Sequence, residues 1–171
     1  RRPVGGLELV GPGRVLRRRQ LVLAVQHAPL LAGLRVDVLT LFPEMIVQAV
    51  GHSMLKRAQE KGLLTVQVHN LRDYTMDRHK VADDVPYGGG AGMVMKAEPI
   101  LRAVDALREQ ARNDGEEIRL LFPSPQGRPF TQDQARALAA ERRRIVILCG
   151  HYEGVDERIR EALVDEEISI G

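Results

Sequence analysis

The sequence predicts an α/β domain whose largely parallel sheet carries helices on both faces. Three observations lead there. From Leu34 onward, strand-type and helix-type segments alternate. The later strands, 118–122 and 145–148, are short continuous apolar runs, as parallel strands buried on both faces should be. Both run straight into Pro- or Gly-rich turns, Pro123-Ser124-Pro125-Gln126-Gly127 and Cys149-Gly150-His151-Tyr152-Glu153-Gly154.

Residues 34–41 form the first strand, with Val36, Val38 and Leu39 and few polar side chains. Phe42-Pro43-Glu44 opens a helix, with Pro43 in the first turn where its missing N–H costs nothing. A second helix is expected over 53–61, with Ser53 as its cap and Gly62 as its stop. Residues 63–68 alternate and are rich in β-formers, giving the second strand. Residues 70–95 show no period, and so long an irregular stretch inside a domain is usually functional or mobile. Residues 97–112 are amphipathic, with Ile100, Leu101, Val104 and Leu107 on one face. Thr131 caps a helix to Ala140, another helix covers 156–162, and 167–170 read as a last strand.

Residues 1–33 read as an extension to this domain, poorly ordered and separate from it. They hold six arginines and one glutamate, whereas the remaining 138 residues are mildly acidic. Arginines before an apolar run can mimic an export signal, but Gln26, His27 and Pro29 interrupt this one. The net charge of +2 gives no overall support for nucleic-acid binding, so an RNA site has to be a local patch. Aromatic residues make up 4%, too few for a broad base-stacking surface. A single cysteine, Cys149, excludes an internal disulfide framework and suits a reducing cytoplasm. No apolar run approaches the ~20 residues of a membrane helix.

Several chemistries fail on spacing. The run Tyr87-Gly88-Gly89-Gly90-Ala91-Gly92 is neither G-x-G-x-x-G nor a Walker loop. The five histidines have no metal-site spacing, and Ser124 lacks the nucleophile elbow. In parallel sheets, ligands bind beyond the carboxyl ends of strands. Each turn alone could be mere punctuation, but the pair suggests a pocket lined by backbone amides and carbonyls. Glu153 admits two readings of equal weight. It is a carboxylate acceptor for a guanine edge, or an acid favoured by the dipole of the helix that follows.

Seven motifs then stand in one order: 39–45, 72–74 with 77–79, 83–84, 86–93, 124–127, 149–158 and 165–171. Together they resemble the bacterial tRNA (guanine-N1)-methyltransferases of the trefoil-knotted SPOUT class, over residues 35–171. The resemblance implies methyl transfer from S-adenosyl-L-methionine to N1 of the guanine 3′ to the tRNA anticodon, by a cytoplasmic homodimer. It implies a cofactor pocket walled by Pro123, Ser124, Pro125 and Gly127, by Gly150, Tyr152 and Gly154, and by Ile170 and Gly171. Glu153 falls on the guanine-binding glutamate. Asp83 lies in a tRNA-contacting acidic pair, and Tyr87, Gly88, Gly89 and Gly90 lie near the subunit contact.

The family pattern continues past the Ser-Ile-Gly at 169–171. It carries the rest of the cofactor loop, the final knot segment, the aspartate that serves as general base and a helical tRNA-binding domain. The chain is therefore expected to be a C-terminally incomplete SPOUT domain with little activity alone. Asp156 and Asp165 are the acids that could stand in for the base, though both suit helix-end or surface roles.

Overall fold

The computed structural model describes residues 8–9, 15–16, 33–85, 92–141 and 143–171. The chain divides into two units, Arg1–Ala32 and Gly33–Gly171. In the first, β1 (Glu8–Leu9) pairs antiparallel with β2 (Val15–Leu16).

The second unit is built on a five-stranded sheet. Its strands are β3 (Leu34–Thr40), β4 (Leu64–Asn70), β7 (Ile118–Pro129), β8 (Arg144–Leu148) and β9 (Glu166–Ser169). Their order is β4-β3-β8-β7-β9, and every pairing is parallel. A separate ribbon pairs β5 (Asp83–Asp84) antiparallel with β6 (Val94–Met95). The helices are α1 (Pro43–Val50), α2 (Ser53–Glu60), α3 (Ala97–Asn113), α4 (Gln132–Ala140) and α5 (Glu157–Leu163).

Alternating side chains divide the core between the two faces of the sheet, as pleated strands require. On one face Leu39, Leu120, Phe122, Val146 and Leu148 pack with Ile100, Val104 and Leu107 of α3 and Ile159 and Leu163 of α5. On the other, Leu121, Ile145 and Ile168 pack with Leu138 of α4. The expected parallel sheet with helices on both faces is therefore what forms. Among the described residues no helix is long and apolar enough to cross a membrane.

Three local expectations differ. Ser53 is the first helical residue, at φ +51°, and His52 takes the cap position without a side-chain bond. The 118–122 strand runs on to Pro129 through a bulge, because both Pro123 and Arg128 pair with Ile168 of β9. Strand β8 begins at Arg144, one residue before the expected start at 145, and that arginine is 1% exposed. Arg144 is buried because Asp37 of β3, also 1% exposed, receives its guanidinium from the neighbouring strand through Nε and Nη2. Gln67 and Gln110 accept further bonds from Nη2, and His69 Nε2 lies 2.6 Å from Asp37 Oδ1. Burial pushes the Asp37 carboxyl up, but Arg144 and His69 outweigh it and hold it below its ordinary value. Tyr74 Oη, 3.3 Å from His69 Nδ1, extends this cluster to the turn after β4.

Candidate active site

Because all five strands run the same way, their carboxyl ends form one rim, and consecutive strands deliver consecutive parts of a site to it. The 3-10 turn Leu71–Tyr74 follows β4, and Phe42 follows β3. The 149–154 turn follows β8, the bulge 124–127 sits within β7, and Ile170 and Gly171 follow β9.

The two turns singled out in sequence do lie on adjacent strands, and Gly150 of one touches Phe122, the residue just before the other. A Cβ at Gly150 would meet Phe122 Cε2 at 3.1 Å, so Gly150 lies directly on the ring that precedes Pro123. Gly127 is as tightly placed. A Cβ there would come within 2.5 Å of the Ile168 backbone, which lets the bulge close over β9. Inside the bulge, Gln126 donates its backbone N–H to Ser124 Oγ at 3.1 Å. On its outer side Gln126 and Gly127 border a cavity of about 600 Å³ with Arg160 and Glu167. Arg160 is ion-paired to Glu167 at 2.8 Å, so that charge is already neutralised. Ile170 is 84% exposed at the rim, and the Ser169 hydroxyl donates to the Gly171 carbonyl.

The 149–154 turn is stitched to the β5–β6 ribbon. Glu153 donates its N–H to the Met93 carbonyl at 3.0 Å, and Met95 donates to the Gly154 carbonyl at 3.0 Å. His151 N–H points to Met95 Sδ at 3.2 Å. Asp83 stands opposite Met95 in the ribbon, and that pairing carries it to the Tyr152 phenol. Hydrogen bonding to Asp83, then burial, push the phenol's pKa up, while the Arg72 guanidinium opposes them.

Glu153 points to Gly92. A Cβ on Gly92 would fall 2.6 Å from Glu153 Cγ and 2.9 Å from Oε1, and Gly92 has φ +107°. The helix-entry duty left open for Glu153 belongs to other acids. Asp156 caps α5 by accepting from Arg158 N–H, and Glu157 occupies the first turn. Asp165 is also committed, since its Oδ2 accepts the Leu120 N–H at 2.7 Å. Tyr87, Gly88, Gly89 and Gly90 lie outside the described residues.

Sequence reasoning passed over part of this rim. Arg72 Nη1 donates to the Leu41 carbonyl, and Arg72 Cζ lies 5.7 Å from the centre of the Phe42 ring. Phe42 meets His151 edge-on at 4.7 Å, and His151 meets Tyr152 at 4.4 Å. The available signal was the position of Phe42 and Arg72 immediately after two strands.

Comparison with known proteins agrees with this arrangement. The family model described as tRNA (Guanine-1)-methyltransferase TrmD matches residues 34–171. A tRNA (guanine-N(1)-)-methyltransferase of Desulforamulus reducens is 54% identical over 138 residues, covering 81% of this chain and 53% of the relative. One from Staphylococcus epidermidis is 50% identical over 138 residues, covering 81% and 54%. The crystal structure of tRNA (m1G37) methyltransferase from Aquifex aeolicus matches with a TM-score of 0.68 at 38% identity, over 81% of this chain and 60% of that one. The chain spans about half the length of these curated relatives. With its matched region starting at the first strand of the sheet and holding every rim residue described above, the chain belongs to the tRNA (Guanine-1)-methyltransferase TrmD family.

Proposed function

We propose that residues 34–171 form the cofactor-binding part of a tRNA (guanine-N1)-methyltransferase that modifies the guanine 3′ to the anticodon. Residues 1–33 are an extension outside that domain. The observation that carries this reading is the contact of Gly150 with Phe122, which seats the 149–154 turn on the neighbouring strand where the Pro123–Gly127 turn begins. The residues suit an adenosyl group. Glycine backbone can approach a ligand closely, the buried Phe122 ring backs the turn, and Pro123, Ser124 and Pro125 stiffen the opposite wall. Gly127, Tyr152, Gly154, Ile170 and Gly171 complete the walls.

S-adenosyl-L-methionine supplies a methyl group already activated by its sulfonium. The protein's work is therefore alignment of donor and acceptor. Glu153 accepts hydrogen bonds from the Watson–Crick edge of the guanine, where N1–H and the exocyclic amine are donors. The N1 proton needs a base within hydrogen-bond reach. Asp156 and Asp165 are occupied with capping and strand contacts, so we place that base in the remaining length of the relatives. Asp83 contributes on the tRNA side, the protein works in the cytoplasm, and a second copy of the chain completes the site as a homodimer.

Calorimetric titration of a chain of the relatives' length with S-adenosylhomocysteine tests the cofactor reading, and absence of binding would sink it. A chain of the relatives' length, incubated with labelled cofactor and unmodified tRNA, should place the label on N1 of that guanine. Label elsewhere would reject the substrate assignment.

A further inference from the structure

We propose that Arg72 is a positioning residue that holds the Tyr152–Glu153 turn in its working geometry; this rests on the functional reading above. Tyr152 adopts φ +60°, a region that bulky L-residues seldom occupy. Such a conformation persists only where its surroundings over-determine it. Those surroundings are a ladder that begins at Arg72.

The foot of the ladder is rigid. Arg72 N–H is bound by the Asn70 side chain at 3.0 Å, and Thr75 Oγ1 donates to the Arg72 carbonyl at 2.8 Å. From this anchored backbone the guanidinium reaches across to the end of β3. There it bonds the Leu41 carbonyl and faces the Phe42 ring. Phe42 then supports His151, and His151 supports Tyr152. Glu153 is the next residue, and its N–H is fixed on the Met93 carbonyl. Releasing Tyr152 from φ +60° therefore reorients the backbone that carries Glu153 toward Gly92.

The role depends on shape as well as charge. A planar guanidinium can bond a carbonyl while facing a ring, and a lysine ammonium lacks that fork. Arg72→Lys keeps the cation and should still lose the ladder. Phe42→Leu breaks the ladder one rung higher and leaves the Leu71–Tyr74 turn alone.

The test is NMR on the chain with ring-labelled tyrosine, the Tyr152 signal being assigned by Tyr152→Phe. In both Arg72→Lys and Phe42→Leu the Tyr152 signal should shift, and S-adenosylhomocysteine affinity should fall about tenfold. In Arg72→Lys the Tyr152 titration should also change. An unmoved Tyr152 signal in either variant would overturn the proposal. If Arg72→Lys fails to fold, Phe42→Leu decides alone. Failure of an unmodified chain of the relatives' length to bind S-adenosylhomocysteine would remove the functional reading, while the Tyr152 signal would still report on the ladder.

Discussion

Gly150 lies against the ring of Phe122, with 3.1 Å between Phe122 Cε2 and the place a Cβ would occupy. The ring is 7% exposed and packed among Leu120, Leu148 and the helices above them, so it has little room to retreat. Gly150→Val should therefore push the 149–154 turn off the Phe122 ring. Overpacking of this kind costs about 1–3 kcal/mol, so S-adenosylhomocysteine affinity should fall roughly tenfold or more. Calorimetry on the purified variant checks this. Unchanged affinity would show that the turn is not a wall of the site.

Glu153→Gln keeps the shape of the side chain and removes its charge. In a chain of the relatives' length, tRNA methylation should fall at least about tenfold while cofactor affinity stays near its starting value. Gly92→Ala should act in the same direction, because its Cβ would displace the Glu153 side chain from a position 2.6 Å away. Steady-state kinetics beside cofactor titration separates the two effects. Equal losses of both would count against a role at the guanine.

Gly127→Ala meets backbone rather than a flexible side chain, at 2.5 Å from Ile168 C and 2.6 Å from Ile168 N. Neither atom can move without breaking the pairing of β7 with β9. The expected loss is about 1–3 kcal/mol of folding stability, read by urea unfolding. A variant as stable as the parent would mean that β9 is free to shift.

The Asp37–Arg144 pair makes an acid-sensitive core. The Asp37 carboxyl is held below its ordinary 3.8 in the folded chain, so its contribution is complete above that value. The contribution is lost as the pH falls below 3.8 and through the lowered folded-state value. Asp37→Asn should remove this acid dependence and, by leaving the Arg144 guanidinium buried without a counter-charge, cost roughly 3–5 kcal/mol. Asp37→Leu combined with Arg144→Met should cost less than Asp37→Asn alone. Unfolding followed from pH 7 downward measures both.

The sequence alone determined the alternation of strands and helices, the burial of the 118–122 and 145–148 runs on both faces, and the family. These follow from apolar periodicity and from motifs in a unique order, which are local properties of the chain. The helix-end role of Asp156 was legible as well, because a cap is a local contact; the bulge of β7 and the burial of Arg144 were not. Each depends on a partner distant in sequence: Ile168 for the bulge and Asp37 for Arg144.

Tertiary structure also decided what surrounds Glu153. Spacing left its two readings equal. The pairing of Asp83 with Met95, and of Met95 with the 154–155 segment, brings Gly92 to its carboxylate and Asp83 to Tyr152. Parallel strands place their ends on one rim whatever their separation in sequence. Residues as far apart as Phe42, Arg72, Phe122 and His151 thus meet only because the sheet order β4-β3-β8-β7 sets their ends side by side.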